Sequence, residues 1–227
     1  MGLSLVHANA TLHWEGWKDC VQSWKDTALF KHPVYEVYRK PMMVAYQEAF
    51  ENTTEDILCY AHDDVTFYEQ DWDVRVMREF RDSTVGAVGF FGAKGHGSPN
   101  LYLEPCKPSN FIRSGVISNL RRDAEFHGKR FAGESDVAVF DGLAIFVRRE
   151  VIQAMGGWPQ NAPCSYWVYD YLLSCEVRRQ GLRNRFVGVD CDHWNGKSPS
   201  IISEDHAAAH QWLYDRYRDV LPFTVEG

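Results

Sequence analysis

The stretch Asp56-Ile57-Leu58-Cys59-Tyr60-Ala61-His62-Asp63-Asp64-Val65 decides how the rest of this chain reads. Ile57 to Ala61 is an unbroken apolar run. It is short for a helix and suits a strand buried on both faces of a sheet. The run stops abruptly in an imidazole and two carboxylates. A buried strand that ends this way delivers charge to the rim of a sheet, where a ligand can reach it.

Moving outward, the neighbouring segments alternate in type. Leu3-Ser4-Leu5-Val6 reads as a first strand, ending at His7-Ala8-Asn9. Trp14, Trp17, Val21, Trp24 and Ala28 recur at helical spacing and predict a helix within 14–30. Val34 to Tyr38 alternates as a strand. Pro41 suits a first helical turn, with Met43, Ala45, Tyr46, Ala49 and Phe50 continuing it. Trp72, Val76, Met77 and Phe80 predict a third helix, and Val85 to Phe91 a fourth strand. This β-α-β-α-β-α-β order implies an α/β fold, a Rossmann-like domain with a mostly parallel central sheet. Ligands of such sheets bind beyond the carboxyl ends of the strands. His7, Asn9, His62, Asp63 and Asp64 are expected there.

The second half is less regular. Residues 92–135 are interrupted by many glycines and prolines and are expected to form a long loop-rich insertion, with a short hairpin near Phe111–Leu120. Order is expected again from Val137 to Val147, in a helix to Met155, in a helix over 168–180, in a strand over Arg185–Val189, and in a last amphipathic helix over 203–220. No repeat or linker divides the chain, so residues 1–227 are expected to form one domain.

The 227 residues are 45% apolar and 14% aromatic, enough for a substantial core, which excludes a disordered chain. A net charge of −7 argues against a globally basic nucleic-acid surface. No apolar run is long enough to span a bilayer, and the start does not read as a signal peptide. The six cysteines form no C-x-x-C pair. Reduced thiols and a cytoplasmic location are therefore expected.

Three strand ends carry polar groups: His62-Asp63-Asp64, Asp141-Gly142 and Asp190-Cys191-Asp192-His193. Tyr169-Asp170 opens a helix. Carboxylates with imidazoles suit a divalent cation such as Mn²⁺ or Mg²⁺, and such an ion can neutralise a diphosphate.

In this order the segments resemble GT-A glycosyltransferases of the family 2 type, in the subgroup with His-x-Asp-Val in place of the usual Asp-x-Asp. The matching pieces are Cys59 to Val65, Val85 to Gly89, Asp141 to Arg149, Tyr169-Asp170-Tyr171, and Arg179 to Leu182 leading to Asp192-His193-Trp194-Asn195-Gly196. The resemblance implies a metal-dependent, inverting transfer of a sugar from a nucleotide-diphosphate donor to an acceptor hydroxyl. That acceptor could be a glycan, a protein, a lipid-linked sugar or a modified nucleic-acid base. It implies Asp64 and His193 as metal ligands and Asp170 as catalytic base, with Tyr169 replacing the usual Glu before it. It places His62 where the common motif has its first Asp, near the donor ribose or the metal. It sets Asp141 and Gly142 beside the donor sugar or acceptor. His7, Asn9 and Asp63 complete the expected donor site.

Other readings remain open on the residues alone: a metal-dependent hydrolase, a nucleotidyltransferase, or a non-catalytic nucleotide-sugar-binding module. Asp71-Trp72-Asp73 and Asp190-Cys191-Asp192 also fit D-x-D, but Asp71 is expected to cap a helix. His206 and His210, one helical turn apart, are expected on a solvated face. Arg121, Arg122, Lys129 and Arg130 fall in the loop-rich region as possible contacts for an anionic acceptor.

Overall fold

Apolar residues on the central strands alternate between two faces, and each face has its own core. One core takes Val6, Leu58, Tyr60, Ile145 and Val147. The other takes Leu5, Ile57, Cys59, Ala61, Ala144 and Phe146. This is the period-two consequence of strand geometry with both faces covered. The computed structural model describes residues 1–9, 16–97, 111–113, 133–164, 166–193 and 204–225.

The elements run β1 (Leu3–Asn9), α1 (Trp17–Asp26), β2 (Val34–Tyr38), α2 (Met42–Asn52), β3 (Ile57–Ala61), β4 (Val65–Phe67), α3 (Trp72–Glu79) and β5 (Val85–Gly89). Next come the short strands β6 (Phe91–Ala93), β7 (Gly95–His96), β8 (Phe111–Arg113), β9 (Glu134–Val137) and β10 (Val139–Phe140). The chain continues through β11 (Ala144–Arg148), α4 (Arg149–Met155), α5 (Tyr169–Arg179), β12 (Arg183–Val187), β13 (Cys191–His193), α6 (Glu204–Arg216) and β14 (Phe223–Thr224).

The main sheet has seven strands in the order β2-β1-β3-β11-β5-β12-β9. β1 is parallel to β2 and β3, and β12 is parallel to β5. β11 lies antiparallel between β3 and β5, and β9 is an antiparallel edge against β12. The sheet is thus mostly parallel, as the β-α alternation predicts. Helices α2, α4, α5 and α6 cover one face, and α1 and α3 the other. α4 ends where Gly156 takes φ 83°, a left-handed cap that glycine adopts without a Cβ penalty.

Several expectations shift. The strand expected over 137–147 is the last residue of β9 followed by β10 and β11, broken by Asp141-Gly142-Leu143, and the region expected to be loop-rich holds β7, β8 and the start of β9. The last helix stops at Arg216 rather than 220. Of the hairpin expected near Phe111–Leu120, β8 is described and pairs antiparallel with β6. The remainder lies outside the described residues, as do Cys106, Arg121, Arg122, Lys129, Arg130 and Trp194. No described helix is long and apolar enough to cross a membrane.

Candidate active site

Three segments meet at the carboxyl end of β3. The first is the turn His62-Asp63-Asp64 that leaves β3 and enters β4. The second is the segment before β11, because Ala144 sits opposite Ala61 in the ladder. The His62 backbone N–H donates to the Leu143 carbonyl at 2.9 Å, which ties the two together. The third is β13, which pairs antiparallel with β4 so that His193 lies opposite Val65. That register puts His193 beside Asp64.

α1 holds this short ladder in place. The Trp24 indole N–H donates to the Val65 carbonyl at 2.6 Å, and the Phe67 N–H donates to Ser23 Oγ at 2.9 Å. Tyr68 donates to Asp192 at 2.9 Å across the same ladder. Sequence reading missed both β4 and its pairing with β13, because three-residue strands carry no usable period.

The result is a triangle of ligand atoms. His193 Nε2 lies 3.1 Å from Asp64 Oδ1 and 3.3 Å from His62 Nδ1, and His62 Nδ1 lies 4.0 Å from Asp64 Oδ1. Among the described residues this is the only group of three or more such side chains whose ligand atoms all lie within 4.8 Å. Two atoms bound to one ion through bonds of about 2.1 Å are separated by at most about 4.2 Å, so the triangle fits a divalent cation. Burial, and then the nearby His193, hold His62 below the ordinary imidazole range. For His193 burial acts downward, but the charge and hydrogen bond of Asp64 outweigh it and raise the group. Asp63 is pushed up to about 7 by burial and by the charge of Asp64.

α5 brings Tyr169 and Asp170 to the same edge. Its N-cap residue Val168 takes φ 61°, ψ 5°, an unfavourable left-handed conformation for a β-branched residue. Strain of this kind persists where surrounding structure over-determines it. The Tyr169 hydroxyl reaches His62 Nε2 and lies 3.2 Å from the Gly142 carbonyl. Gly142 has no alternative here, since a Cβ at that position would come within 1.8 Å of the Tyr169 hydroxyl oxygen. Asp170 accepts the Tyr171 N–H at 2.9 Å. Burial, and then the charge of Asp141, push its carboxyl up to about 7.

His7 and Asn9 end β1 farther along the same sheet edge. His7 is fully buried, stacked on Trp17 at 4.7 Å and edge-on to Trp24 and Tyr38. Among the described residues neither ring nitrogen has a partner, and burial lowers the group to about 4. Asn9 pairs in register with Tyr38 on β2.

The Asp71-Trp72-Asp73 match lies at the start of α3. Asp71 holds the N-cap position of α3 but makes no side-chain capping bond. Asp73 is fully buried and accepts from the N–H groups of Leu29 and Phe30, with His32 Nε2 2.8 Å away. His206 and His210 do not form a solvated face. Both are buried, with their Nε2 atoms 3.1 Å apart, because α6 packs this side onto Trp167 and Tyr171.

Comparison with known proteins follows this geometry. A family described as "Glycosyltransferase like family" matches residues 19–217. The chain is similar to the crystal structure of GalNAc-T7 with UDP, GalNAc and Mn²⁺, at 12% identity and TM-score 0.57, over 95% of this chain and 44% of that one. It therefore spans less than half the length of GalNAc-T7. It is also similar to the mannosyltransferase PcManGT from Pyrobaculum calidifontis in complex with GDP-Man and Mn²⁺. There the identity is 13% and the TM-score 0.50, over 96% of this chain and 71% of that one. No curated protein matches the chain. At these identities the structural likeness speaks for the fold, and the family match carries the membership. The chain has the GT-A fold and belongs to the glycosyltransferase-like family.

Proposed function

We propose that this protein is an inverting, Mn²⁺-dependent glycosyltransferase that moves a sugar from a nucleoside-diphosphate donor to an acceptor hydroxyl, acting as a single domain. The observation that carries the reading is the His62–Asp64–His193 triangle at the end of β3, with the charge of Asp141 acting on both His62 and Asp170. A set of two imidazoles and one carboxylate suits Mn²⁺ better than Mg²⁺, which favours oxygen ligands. His62, Asp64 and His193 would hold the ion, which would supply positive charge to offset that of the leaving diphosphate.

The chain's own residues do the rest. Asp170 takes the proton from the acceptor hydroxyl, and no protein nucleophile is needed for a single displacement. A base with a carboxyl near 7 is matched to proton transfer at neutral pH. Asp141 and Gly142 border the sugar. His7, Asn9 and Asp63 flank the donor at the ends of β1 and β3. The UDP and GalNAc of GalNAc-T7 and the GDP-Man of PcManGT, both with Mn²⁺, support this choice of donor class. The free thiols among the described cysteines fit a reducing compartment such as the cytoplasm.

The test is calorimetry with UDP- and GDP-sugars, with and without Mn²⁺, on wild type and on Asp64→Ala. Wild type should bind one donor class in a Mn²⁺-dependent way, and the variant should lose that dependence. Equal Mn²⁺-dependent binding by Asp64→Ala removes the residue from the site.

A further inference from the structure

We propose that Tyr169 is a positioning residue that locks the tautomer of His62, by accepting a hydrogen bond from His62 Nε2–H and donating its own proton to the Gly142 carbonyl. The consequence is that His62 Nδ1 presents a bare lone pair toward Asp64 and His193. This rests on the metal reading above and adds to it the device that makes His62 competent as a ligand.

The direction of each bond follows from the carboxylate outward. An ionised carboxylate only accepts. His193 Nε2, 3.1 Å from Asp64 Oδ1, is therefore the donor of that pair. The same nitrogen faces His62 Nδ1 at 3.3 Å. A nitrogen that carries its proton toward Asp64 has no lone pair to offer, and Asp64 Oδ1 at 4.0 Å is beyond hydrogen-bond reach, so a proton on His62 Nδ1 would find no acceptor and Nδ1 stays bare; an ion bound at the triangle would displace the His193 proton. An imidazole whose Nδ1 is bare carries its N–H proton on Nε2. Nε2 points at the Tyr169 hydroxyl, which must then accept from it. The phenol has one proton left to place, and the Gly142 carbonyl stands 3.2 Å away to receive it.

Two further features make the relay one-directional. A phenol has a single proton, so a hydroxyl that accepts from His62 can donate only once, to the Gly142 carbonyl. A carbonyl can only accept, so Gly142 cannot reverse the chain. The reverse arrangement would put a proton on His62 Nδ1, facing another N–H, and would close the lone pair that a metal needs. Metal-bound histidines commonly have the second nitrogen fixed in this way by a hydrogen bond. The missing side chain of Gly142 is part of the device, since a Cβ there would occupy the place of the phenol oxygen.

The experiment is nitrogen NMR of the imidazoles in the metal-free protein near pH 7.5, on wild type and Tyr169→Phe, followed by Mn²⁺ titration of both. Wild-type His62 should be protonated on Nε2. Tyr169→Phe, which keeps the ring against Tyr46 and removes only the hydroxyl, should give a mixture of tautomers. Its Mn²⁺ affinity should fall by about tenfold to a hundredfold, the usual cost of losing such a partner. Turnover should recover at saturating Mn²⁺, placing the defect in metal affinity rather than in the maximal rate. A wild-type His62 protonated on Nδ1 overturns the proposal without any variant. So does a Tyr169→Phe protein with unchanged tautomer and affinity. Failure of the metal reading looks different: wild type and Asp64→Ala would then respond identically to Mn²⁺, while the wild-type spectrum still reports the relay.

Discussion

Asp170 stands in the first turn of α5, a position where a helix dipole ordinarily favours an ionised carboxylate. Its carboxyl is nevertheless pushed up to about 7, because burial and the charge of Asp141 outweigh the N–H groups of Tyr171 and Gly142. A general base works only when ionised. The rate should therefore rise with pH through about 7 and level off above it, which a pH–rate profile measures directly. Asp170→Asn keeps the shape and removes the base. It should retain Mn²⁺ and donor affinity and lose about 10²- to 10⁴-fold in kcat. Near-normal transfer by this variant would exclude the residue as base. Loss of donor affinity with normal folding would move it to the donor site instead.

The short ladder of β4 and β13 is the element on which the triangle depends, and α1 is its support. Ser23 Oγ accepts the Phe67 N–H at 2.9 Å and donates to the Cys20 carbonyl at 2.6 Å. Ser23→Ala leaves the Phe67 N–H without that acceptor. It should cost about 1–3 kcal/mol, read as a lower denaturant midpoint at unchanged m-value. Because β4 follows Asp64 directly, the same variant should bind Mn²⁺ more weakly although Ser23 touches no ligand atom. An unchanged midpoint together with unchanged Mn²⁺ affinity would show that Ser23 does not hold the ladder. Apart from the edge strand β9, which begins inside the region expected to be loop-rich, the main-sheet strands and helices needed no such tertiary support to be read, since Ile57–Ala61 and the Trp72–Phe80 spacing speak for themselves. β4 and β13 did need it: each has three residues, and their pairing joins parts of the chain far apart in sequence.

Across the molecule, three buried histidines weaken the fold in acid. His7, His96 and His210 are each lowered to about 4, in each case first by burial. Unfolding returns them to an ordinary imidazole value near 6.5, so between about 4 and 6.5 the unfolded chain binds more protons than the folded one. Their contribution is complete above about 6.5 and is lost as pH falls through that window toward 4. Asp63 and Asp170, pushed up to about 7, act in the opposite sense over the same window, so the histidine drop in Tm is read by comparing thermal melts of wild type and variant from pH 7.5 down to 4.5. The drop should be shallower in His210→Gln, which removes one of the three groups; equal slopes in the two proteins would remove His210 from this account.

The amino-acid sequence by itself determined the layered α/β plan. Burial on both faces writes continuous apolar strands, amphipathic helices write a 3.6-residue period, and both signals are local. It also determined where charge would emerge, because an apolar strand ending in His62-Asp63-Asp64 can only deliver those groups to the sheet rim. The tertiary structure alone decided which of these groups meet. His62 and His193 are 131 positions apart and come within 3.3 Å only through the register of β4 against β13. It alone decided that Tyr169, in the sequence merely a departure from the usual Glu, reaches His62 and Gly142. It also turned His206 and His210 inward, though their helical spacing suited a solvated face equally well. Periodicity reports which face of an element is apolar. It carries no information on which distant element that face or rim will touch, because register and packing are set by contacts between residues remote in the chain.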